Sequence, residues 1–254
     1  MLPADRLVKM MSLLEERQSC SIAELAQRFS VSEETIRRDV RRLETSGRAR
    51  KVHGGVSLAG GGMEAPFVQR VNDNAAAKRA IAAHCAAMVC EGMTLLIDSG
   101  TTSLWFTRAI SHVHGLTIIT NSFEVAREVM GRNDNRLFFA GGDVNIDYRA
   151  AFGADAIALS RRFAPDLAIL SIGAIEAGRG LLDFEPEEAF YKQAVFDLAR
   201  RVMLLADASK FGREGSVFVA DFGRVHDLVT DQVPPPEIVV DLARAGTELH
   251  VVTK

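Results

Sequence analysis

Apolar residues in the first 45 positions recur every three or four residues, the spacing that gathers side chains on one face of a helix. This spacing predicts three amphipathic helices, at about residues 5–16, 21–30 and 32–44. Ser21 and Ser32 suit the N-cap positions of the second and third helices, because a serine hydroxyl accepts a hydrogen bond from a free N–H group of the first turn. Two short capped helices joined by a tight turn form a helix-turn-helix.

The predicted third helix separates an apolar stripe from a cationic face. Ile36, Val40 and Leu43 fall on one side, whereas most outward positions are arginine. Taken alone, this face has two interpretations: a solvated charged surface, which is the usual fate of charge runs, or a surface that lies in a DNA major groove. The arginines come one to two turns into the helix, where a groove-bound helix presents side chains to base edges and phosphates.

The segment after the third helix favours DNA. RARKVHGGVSL alternates in part and contains Gly54 and Gly55, which predicts a small hairpin, or wing. Basic residues on a wing contact backbone phosphates beside the helix. The combined pattern predicts a winged helix-turn-helix whose DNA contacts are Ser32, Glu34, Thr35, Arg37, Arg38, Arg41, Arg50, Lys51 and His53.

Composition changes after residue 58. The segment AGGGMEAP combines glycines with a proline and predicts a linker. A helix of small residues is predicted next, at about residues 74–90. We therefore expect a DNA-binding domain at 1–58, a linker at 59–73 and a second domain at 74–254.

Short apolar runs alternate with helix-spaced segments through this second domain. The runs are MTLLID, LTIIT, RLFFAGG, DLAILSIG, RVMLLAD and ELHVVT. Strands separated by helices predict a parallel α/β sheet that is buried on both faces. Ligands of such sheets bind at the carboxyl ends of the strands, so the residues that follow each run are candidates for a binding site.

The segment DSGTTS follows the first run and leads into a predicted helix. Backbone N–H groups at a helix N-terminus attract anions, Gly100 would let the backbone approach a ligand, and Thr101 and Thr102 add hydroxyl donors. The same letters suit an ordinary capped turn, and that alternative stays open. Small or polar residues after the other runs complete a candidate site of Asp98, Ser99, Gly100, Thr101, Thr102, Asn121, Gly141, Gly142, Gly173, Asp207 and Lys210.

Glu188 and Lys192 lie one turn apart in a helix predicted from Glu185 to Arg200. In one interpretation the acidic residues at its start complement the helix dipole. In the other, Glu188 and Lys192 contact the ligand or are remnants of acid–base groups of an isomerase. The chain has no dinucleotide or nucleoside-triphosphate fingerprint and no HExxH or cysteine cluster, so we expect no cofactor, no metal and no catalytic residue.

The near-neutral total charge of −3 hides an asymmetry. Residues 1–58 carry 11 Lys and Arg against 8 Asp and Glu, whereas the remainder carries 19 against 25. A basic N-terminal part followed by an acidic remainder suits a small nucleic-acid-binding domain joined to a domain with another function. The three cysteines are too few and too scattered for a disulfide framework, and no apolar run approaches a membrane span. We expect a cytoplasmic protein.

These features resemble the DeoR family of bacterial transcriptional regulators. In the N-terminal part the resemblance rests on Arg6, Met10, Leu14, Ser32, Thr35, Ile36, Arg37, Arg38, Asp39, Val40 and the HGG that ends at Gly55. In the rest of the chain it rests on IDSGTT, Thr120 with Asn121, the AGG that ends at Gly142, LADASKFG, GRGLLDFEPEEAFYKQAV and TDQVPPPEIVVDL. Within the family, LLDF and TDQVPPP are most similar to the glycerol-3-phosphate regulon repressors.

The resemblance implies a winged helix-turn-helix followed by a sensor domain similar in fold to ribose-5-phosphate isomerase. It implies a repressor that binds operator DNA as a dimer or tetramer and releases it when a small phosphorylated metabolite binds, above all glycerol-3-phosphate. Fructose-1-phosphate and an amino-sugar phosphate stay open as effectors. A sugar-phosphate isomerase is the alternative function, but GAIEAGRGLL departs from the acid-rich, glycine-rich loops of the working enzymes, so we expect binding without turnover.

Overall fold

The computed structural model describes residues 3–17, 19–45, 49–52, 55–58 and 64–252. The chain divides into two compact units, Met1–Pro66 and Phe67–Lys254.

The first unit combines three helices with a small antiparallel sheet of order β1-β3-β2. Its elements in chain order are α1 (Pro3–Arg17), β1 (Ser19–Ser21), α2 (Ile22–Phe29), α3 (Glu33–Thr45), β2 (Ala49–Val52) and β3 (Gly55–Leu58). The predicted winged helix-turn-helix is therefore confirmed. Strand β1 was not predicted, because three residues are too short to show a period.

Local caps define the helix-turn-helix. The Ser21 hydroxyl accepts a hydrogen bond from the Glu24 N–H at 3.0 Å, and the Ser32 hydroxyl accepts one from the Thr35 N–H at 3.3 Å. Ser30 ends α2 in the left-handed conformation, with φ of 52°. Gly55 was predicted in the turn of the wing, but it lies in β3, where a Cβ would come within 2.6 Å of the Cys20 carbonyl oxygen. Its role is to let β3 approach β1.

The second unit is built on a seven-stranded parallel sheet of order β15-β14-β12-β9-β4-β5-β6, accompanied by a β10-β11-β13 sheet and a β7-β8 hairpin. Its elements in chain order are α4 (Phe67–Arg70), α5 (Ala75–Ala86), β4 (Thr94–Ile97), α6 (Thr101–Ala109), β5 (Thr117–Thr120), α7 (Phe123–Val129), β6 (Arg136–Phe139), β7 (Asp143–Asn145), β8 (Ala150–Phe152), α8 (Gly153–Ser160), β9 (Leu167–Ser171), β10 (Ala174–Glu176), β11 (Gly180–Asp183), α9 (Pro186–Val195), β12 (Arg201–Leu205), β13 (Val217–Ala220), β14 (Asp227–Thr230), α10 (Pro236–Ala245) and β15 (Glu248–Val251).

Both faces of this sheet are covered, as its continuous apolar runs predict. Successive residues of β4 point to opposite faces: Leu96 packs into one buried cluster, and Leu95 and Ile97 pack into another. The predicted parallel α/β sheet is confirmed. Strand β14 was not predicted, because polar Asp227 and Thr230 flank only two apolar residues, and both polar side chains are nonetheless buried.

Element boundaries differ from the prediction at three places. Helix α5 ends at Ala86 rather than near residue 90, and α9 ends at Val195 rather than at Arg200. Phe67 lies inside the segment expected as a linker, yet it is buried, begins α4 and donates its N–H to the Asp147 carbonyl at 2.7 Å. The second unit therefore begins before residue 74. Within the described ranges, no helix has the length and apolarity needed to cross a bilayer.

Candidate functional site

Helix α3 presents its arginine face to solvent. Ile36, Val40 and Leu43 are buried, whereas Glu34, Arg37, Arg38 and Arg41 are exposed and Thr35 is half-buried. Arg37 pairs within the helix with Glu33 at 2.8 Å and with Glu34 at 4.0 Å. Arg38 and Arg41 have no ion-pair partner in the described part of the chain. Two cations opposite the buried stripe are thus available to an anion.

A buried ion pair orients this helix. Asp39 faces the interior of the first unit, where its Oδ2 lies 2.5 Å from Nε of Arg6 on α1, with both side chains nearly inaccessible. Buried pairs of this kind specify geometry, because a charge moved from its partner stays unsolvated. The predicted outward face therefore depends on a residue outside the predicted DNA contacts.

The wing is attached to the end of α3. The Lys51 N–H of β2 donates to Oε1 of Glu44 at 2.8 Å, and the Lys51 side chain is exposed. Arg50 lies in the same strand, whereas His53 falls outside the described residues. Ser32 and Thr35 share a hydroxyl hydrogen bond of 3.0 Å at the start of α3, so the cap already occupies both groups.

In the second unit, the parallel strands bring the predicted ligand residues to one edge of the sheet. The sheet order places the ends of β12, β9, β4, β5 and β6 side by side. These ends carry Asp207, Ser171, Asp98, Asn121 and Gly141 respectively. This edge is assembled from segments that are far apart in the chain.

Asp98 organises the centre of that edge. It is buried, and its Oδ1 accepts hydrogen bonds from the Gly100 N–H at 3.0 Å and from the Ser103 hydroxyl. Its Oδ2 accepts the N–H of Ser171 at 2.7 Å and the hydroxyl of Ser171 at 3.0 Å. Asp98 thus joins the ends of β4 and β9, and both oxygens are engaged by the protein itself.

Gly100 is a point of close packing. A Cβ at this position would lie 1.7 Å from the Ser171 hydroxyl oxygen, so the approach of α6 to β9 requires glycine here. Ser99, Thr101 and Thr102 are also buried around the N-terminus of α6. The turn predicted as an anion cradle is therefore tightly packed.

Lys192 forms the second part of the site. Its buried Nζ lies 2.8 Å from Oδ2 of Asp183, 2.9 Å from Oε1 of Glu188 and 3.8 Å from Oδ2 of Asp98. Burial by itself lowers the pKa of the Lys192 ammonium, but the three carboxylates outweigh burial and hold the pKa above its ordinary value. Gly173 belongs to the same cluster, since its N–H donates to Oδ1 of Asp183 at 2.8 Å.

Asn121 contains an acceptor without a donor. Its Nδ2 donates to the Ala151 carbonyl at 2.9 Å, but its buried Oδ1 has no hydrogen-bond partner among the described residues. An orphaned buried acceptor in a folded protein calls for an explanation, such as a water or a ligand. Gly141 and Gly142, at the end of β6, are half-buried and exposed respectively.

Asp207 lines a cleft at the ends of β12 and β14, and Lys210 ends the short turn that begins at Asp207. The cleft has a volume of about 450 Å³, and Asn74, Asp207, Ser209 and Asp231 contribute to its lining. Asp207 accepts hydrogen bonds from Nδ2 of Asn74 at 2.9 Å and from the Ser209 N–H at 3.1 Å. Asp231 accepts the Ala208 N–H at 2.8 Å.

Lys78 lies on α5, next to Ala77, which lines this cleft. Its buried Nζ donates to the Arg70 carbonyl at 2.7 Å. The pKa of the Lys78 ammonium is lowered from an ordinary 10.5 to about 8, chiefly by burial and in part by nearby Lys210, while Asp207 opposes the shift. A group with this pKa changes its charge around pH 8.

Sequence reasoning missed three members of these clusters. Asp183 occurs in LLDF, a segment noted only for its resemblance, and nothing in the sequence places it beside Lys192. Asn74 and Lys78 lie far along the chain from Asp207, and only the fold brings α5 against β14. Lys78 does carry a signal in the sequence, because a lysine on the apolar stripe of an alanine-rich helix indicates a buried charge.

One cluster of metal-ligand type lies elsewhere, near the starts of β14 and β15. Asp227, Glu248 and His250 bring oxygen and nitrogen atoms within 4.8 Å of one another. Arg201 already supplies a cation there, with Nε 2.5 Å and Nη2 2.6 Å from the Asp227 carboxylate. Burial alone would raise the pKa of Asp227, but hydrogen bonds from Arg201 and His250 lower it below its ordinary value. The cluster is explained as an ion-pair network.

Comparison with known proteins extends over the whole chain. The DeoR-like helix-turn-helix domain matches residues 6–60, and the DeoR C terminal sensor domain matches residues 73–232. The glycerol-3-phosphate regulon repressor of Escherichia coli strain K12 is 32% identical over 239 residues, which are 94% of this chain and 93% of that protein. The transcriptional repressor AccR of Agrobacterium fabrum is 33% identical over 229 residues, or 89% of each chain.

Among solved structures, ribose 5-phosphate isomerase A of Methanocaldococcus jannaschii aligns with 56% of this chain and 56% of its own, at 17% identity and a TM-score of 0.41. A likeness of this degree carries no functional weight. The two family matches and the near full-length relatives, together with an exposed arginine face on α3 and a parallel-sheet second unit, show that the chain belongs to the DeoR family of transcriptional regulators.

Proposed function

We propose that this protein is a transcriptional repressor that binds operator DNA through α3 and the wing and releases it when a small phosphorylated metabolite, most simply glycerol-3-phosphate, binds the second unit. The observation that carries the proposal is the exposed face of α3, where Arg38 and Arg41 stand opposite the buried stripe without an ion-pair partner in the described chain. The full-length relative named as a glycerol-3-phosphate regulon repressor supports the choice of effector.

The DNA half follows from where the charges lie. Helix α3 enters the major groove with its exposed face toward base edges, which assigns contacts to Glu34, Arg38 and Arg41. Lys51, with Arg50 and His53, contacts phosphates from the wing. Arg37 is already paired with Glu33, so it contributes mainly by its position beside the backbone. Ser32 and Thr35 contribute through the cap that starts the helix.

The effector half follows from the edge of the parallel sheet. Its elements are the N-terminus of α6 at Thr101 and Thr102, the unpartnered Oδ1 of Asn121, the Gly141–Gly142 connection and the Asp207–Lys210 turn. A phosphoryl group suits the helix N-terminus with Lys210, and a hydroxyl of the effector would donate to Asn121. A second set of residues stabilises this edge of the sheet through contacts with one another and does not contact the effector: Asp98, Gly173, Glu188 and Lys192.

Burial of the crevice supplies a route to regulation. Because Thr101, Thr102 and Asn121 are buried, a bound effector requires an arrangement in which the covering segments have moved. An effector that binds only that arrangement shifts the population toward it. If that arrangement binds DNA less tightly, effector binding releases the DNA. A ten- to hundredfold difference in DNA affinity corresponds to about 1.4 to 2.8 kcal/mol of coupling.

The alternative, a sugar-phosphate isomerase, finds less support. An isomerase needs a group poised to remove a proton from carbon. The raised pKa of Lys192 keeps that amine protonated, and Asp98 and Asp183 are engaged by Ser171, Gly173 and Lys192. These groups stabilise one another, which favours a regulator over an enzyme.

The experiment joins DNA selection to effector release. The full chain is used to select duplexes from a randomised library, and binding of the selected duplex is followed by fluorescence anisotropy during addition of glycerol-3-phosphate, fructose-1-phosphate, glucosamine-6-phosphate, glycerol or inorganic phosphate. We expect glycerol-3-phosphate to release the DNA and to raise the melting temperature of the protein, with glycerol inactive. Enrichment of no duplex contradicts the DNA half, and release by none of the phosphorylated compounds contradicts the effector half. Conversion of a phosphosugar to its isomer would favour the enzyme.

A further inference from the structure

Arg213 is a cation at the carboxyl ends of the parallel strands to which the proposed function assigns no role. It lies in the connection between β12 and β13, three residues after Lys210. Its Nη1 donates to the carbonyl of Gly173, two residues after the end of β9, at 3.1 Å. Because β9 lies between β12 and β4 in the sheet, this contact places Arg213 near the middle of the edge that Asp98 and Asp207 also occupy.

Two contacts fix the guanidinium of Arg213. Besides the hydrogen bond to Gly173, its Cζ lies 4.2 Å from the centroid of the Phe184 ring, close enough for a cation–π contact. Phe184 is itself buried, so the ring is held by its own packing. An arginine held in this way loses little further freedom when it binds a ligand, and its planar donors match the oxygens of a phosphoryl group.

The segment that carries Arg213 is attached to the β10-β11-β13 sheet on both sides of this residue. The Gly212 N–H donates to the Ile175 carbonyl at 2.8 Å, and the Ser216 N–H donates to the Asp183 carbonyl at 3.0 Å. The side chain of Arg213 is only half-buried in this position. The loop therefore holds the guanidinium at the strand ends without removing it from solvent.

The charges beneath this edge explain why a cation is needed there. Three carboxylates surround the single ammonium of Lys192, so the buried cluster has a formal excess of two negative charges. This excess repels a phosphoryl dianion at the same edge, and the repulsion is strong where water is excluded. Gly173 joins Arg213 to the cluster, because its N–H donates to Oδ1 of Asp183 while its carbonyl accepts from Arg213. The guanidinium thus lies where the negative excess would otherwise oppose binding.

We propose that Arg213 binds the phosphoryl group of the effector and makes the site selective for a dianion. This inference rests on the proposed function, to which it adds one ligand contact. Lys210 supplies a point charge and the N-terminus of α6 supplies backbone donors. Arg213 supplies the planar pair of donors that a phosphoryl group accepts in a bidentate contact.

The test compares two arginines that each stack on a phenylalanine. Cζ of Arg224 lies 5.9 Å from the centroid of the Phe196 ring, but Arg224 precedes β14 and is therefore at the amino ends of the strands. Isothermal titration calorimetry of the full chain measures the dissociation constants of glycerol-3-phosphate and, by competition, of glycerol-3-sulfate, a monoanion of similar shape. The proteins are wild type, Arg213→Ala, Arg213→Lys and Arg224→Ala, and circular dichroism melting confirms that each variant is folded.

We expect Arg213→Ala to weaken glycerol-3-phosphate binding by at least about tenfold and glycerol-3-sulfate binding by less, because the lost contact is stronger with a dianion. Arg213→Lys keeps the charge but loses the planar fork, so its loss should be smaller but measurable. Arg224→Ala should bind both compounds like wild type. A purely structural role of Arg213 would weaken the two ligands by the same factor, and that result would overturn the proposal.

The proposal also fails if Arg213→Ala binds glycerol-3-phosphate like wild type, or if Arg224→Ala loses as much affinity. If Arg213→Ala does not fold, wild-type affinity in Arg213→Lys would decide against it in the same way. In each of these cases the wild type still binds the effector, so the proposed function stands. If the wild type binds none of the phosphorylated compounds, the effector half of the proposed function fails and this inference fails with it.

Discussion

Nζ of Lys192 lies 2.8 Å from Oδ2 of Asp183 in the interior of the second unit. Lysine is almost never fully buried unless it is paired, and here Glu188 and Asp98 complete the pairing. The pair links the end of β11 to α9, directly beneath the turn that follows β4. The crevice edge is thus supported by compensated charge rather than by apolar packing alone.

Replacing this lysine should destabilise the second unit. In Lys192→Met, Asp98, Asp183 and Glu188 lose their cation, and breaking a buried ion pair costs about 3 to 5 kcal/mol in the free energy of unfolding. The stranded carboxylates would then have pKa values above their unfolded values, so the variant should gain stability as pH falls from 8 to 5. Calorimetric unfolding at both pH values measures this change in the free energy of unfolding.

The control is Arg200→Ala, which removes an ion pair whose arginine is 83% exposed and should lower the free energy of unfolding by less than about 1 kcal/mol. Equal losses in the two variants would refute the assigned role.

Removing one arginine of α3 should weaken DNA binding alone. For Arg38→Ala we expect a loss of about 1 to 3 kcal/mol in binding to the selected duplex and, if Arg38 contacts a phosphate, a salt dependence reduced by about one unit of slope. Effector binding, measured by calorimetry, should stay unchanged. Arg244→Ala removes the same charge from an exposed site on α10 and should leave DNA binding unaltered. A normal gel shift with Arg38→Ala would remove that arginine from the interface.

Substitutions at two threonines of α6 should distinguish an effect on effector binding from an effect on helix stability. Thr101 and Thr107 are equally buried, but Thr101 begins the helix at the crevice, whereas the Thr107 hydroxyl donates to the Ser103 carbonyl within the helix. Thr101→Val should weaken glycerol-3-phosphate binding about tenfold, or about 1.4 kcal/mol, while operator DNA is still held. Thr107→Val should change stability only. If DNA release were normal in Thr101→Val, the helix N-terminus would not hold the phosphoryl group.

Effector binding should take up a proton near pH 8. The pKa of Lys78 is about 8 in the free protein, and a phosphoryl dianion placed near Lys210 would raise it. Lys78 is then more protonated in the complex, so affinity should fall as pH rises from 7 to 9. Calorimetric titrations with glycerol-3-phosphate in Tris and in Hepes, whose ionisation enthalpies differ, count the protons. Lys78→Met should abolish the difference between buffers, and identical heats for wild type would place the phosphoryl group elsewhere.

The first unit was predictable because its signals are local. The caps at Ser21 and Ser32 and the stripe of Ile36, Val40 and Leu43 act within a few residues of one another. A helix or a cap is selected by its immediate neighbours, so a linear pattern is enough to place it. The exposure of Arg38 and Arg41 followed from the same stripe. By contrast, the pairing of Asp39 with Arg6 spans 33 residues and was invisible.

The candidate site was predictable only as a set of segments. Apolar runs placed Asp98, Asn121 and Asp207 after strands, and parallel strands end at one edge. The sequence does not contain the strand order, and that order decides which ends are neighbours. Asp98 therefore meets Ser171 across 73 positions, and the same neighbourhood gives Gly100 a packing role that no local pattern shows.

Spacing and caps along the chain were sufficient for the helix-turn-helix and for the alternation of strands and helices, because each of these depends on residues close in sequence. Tertiary structure alone decided that Lys192 is buried among carboxylates and that burial lowers the pKa of Lys78 to about 8. Burial and charge compensation depend on which distant segments meet, and only the folded arrangement of the strands brings them together.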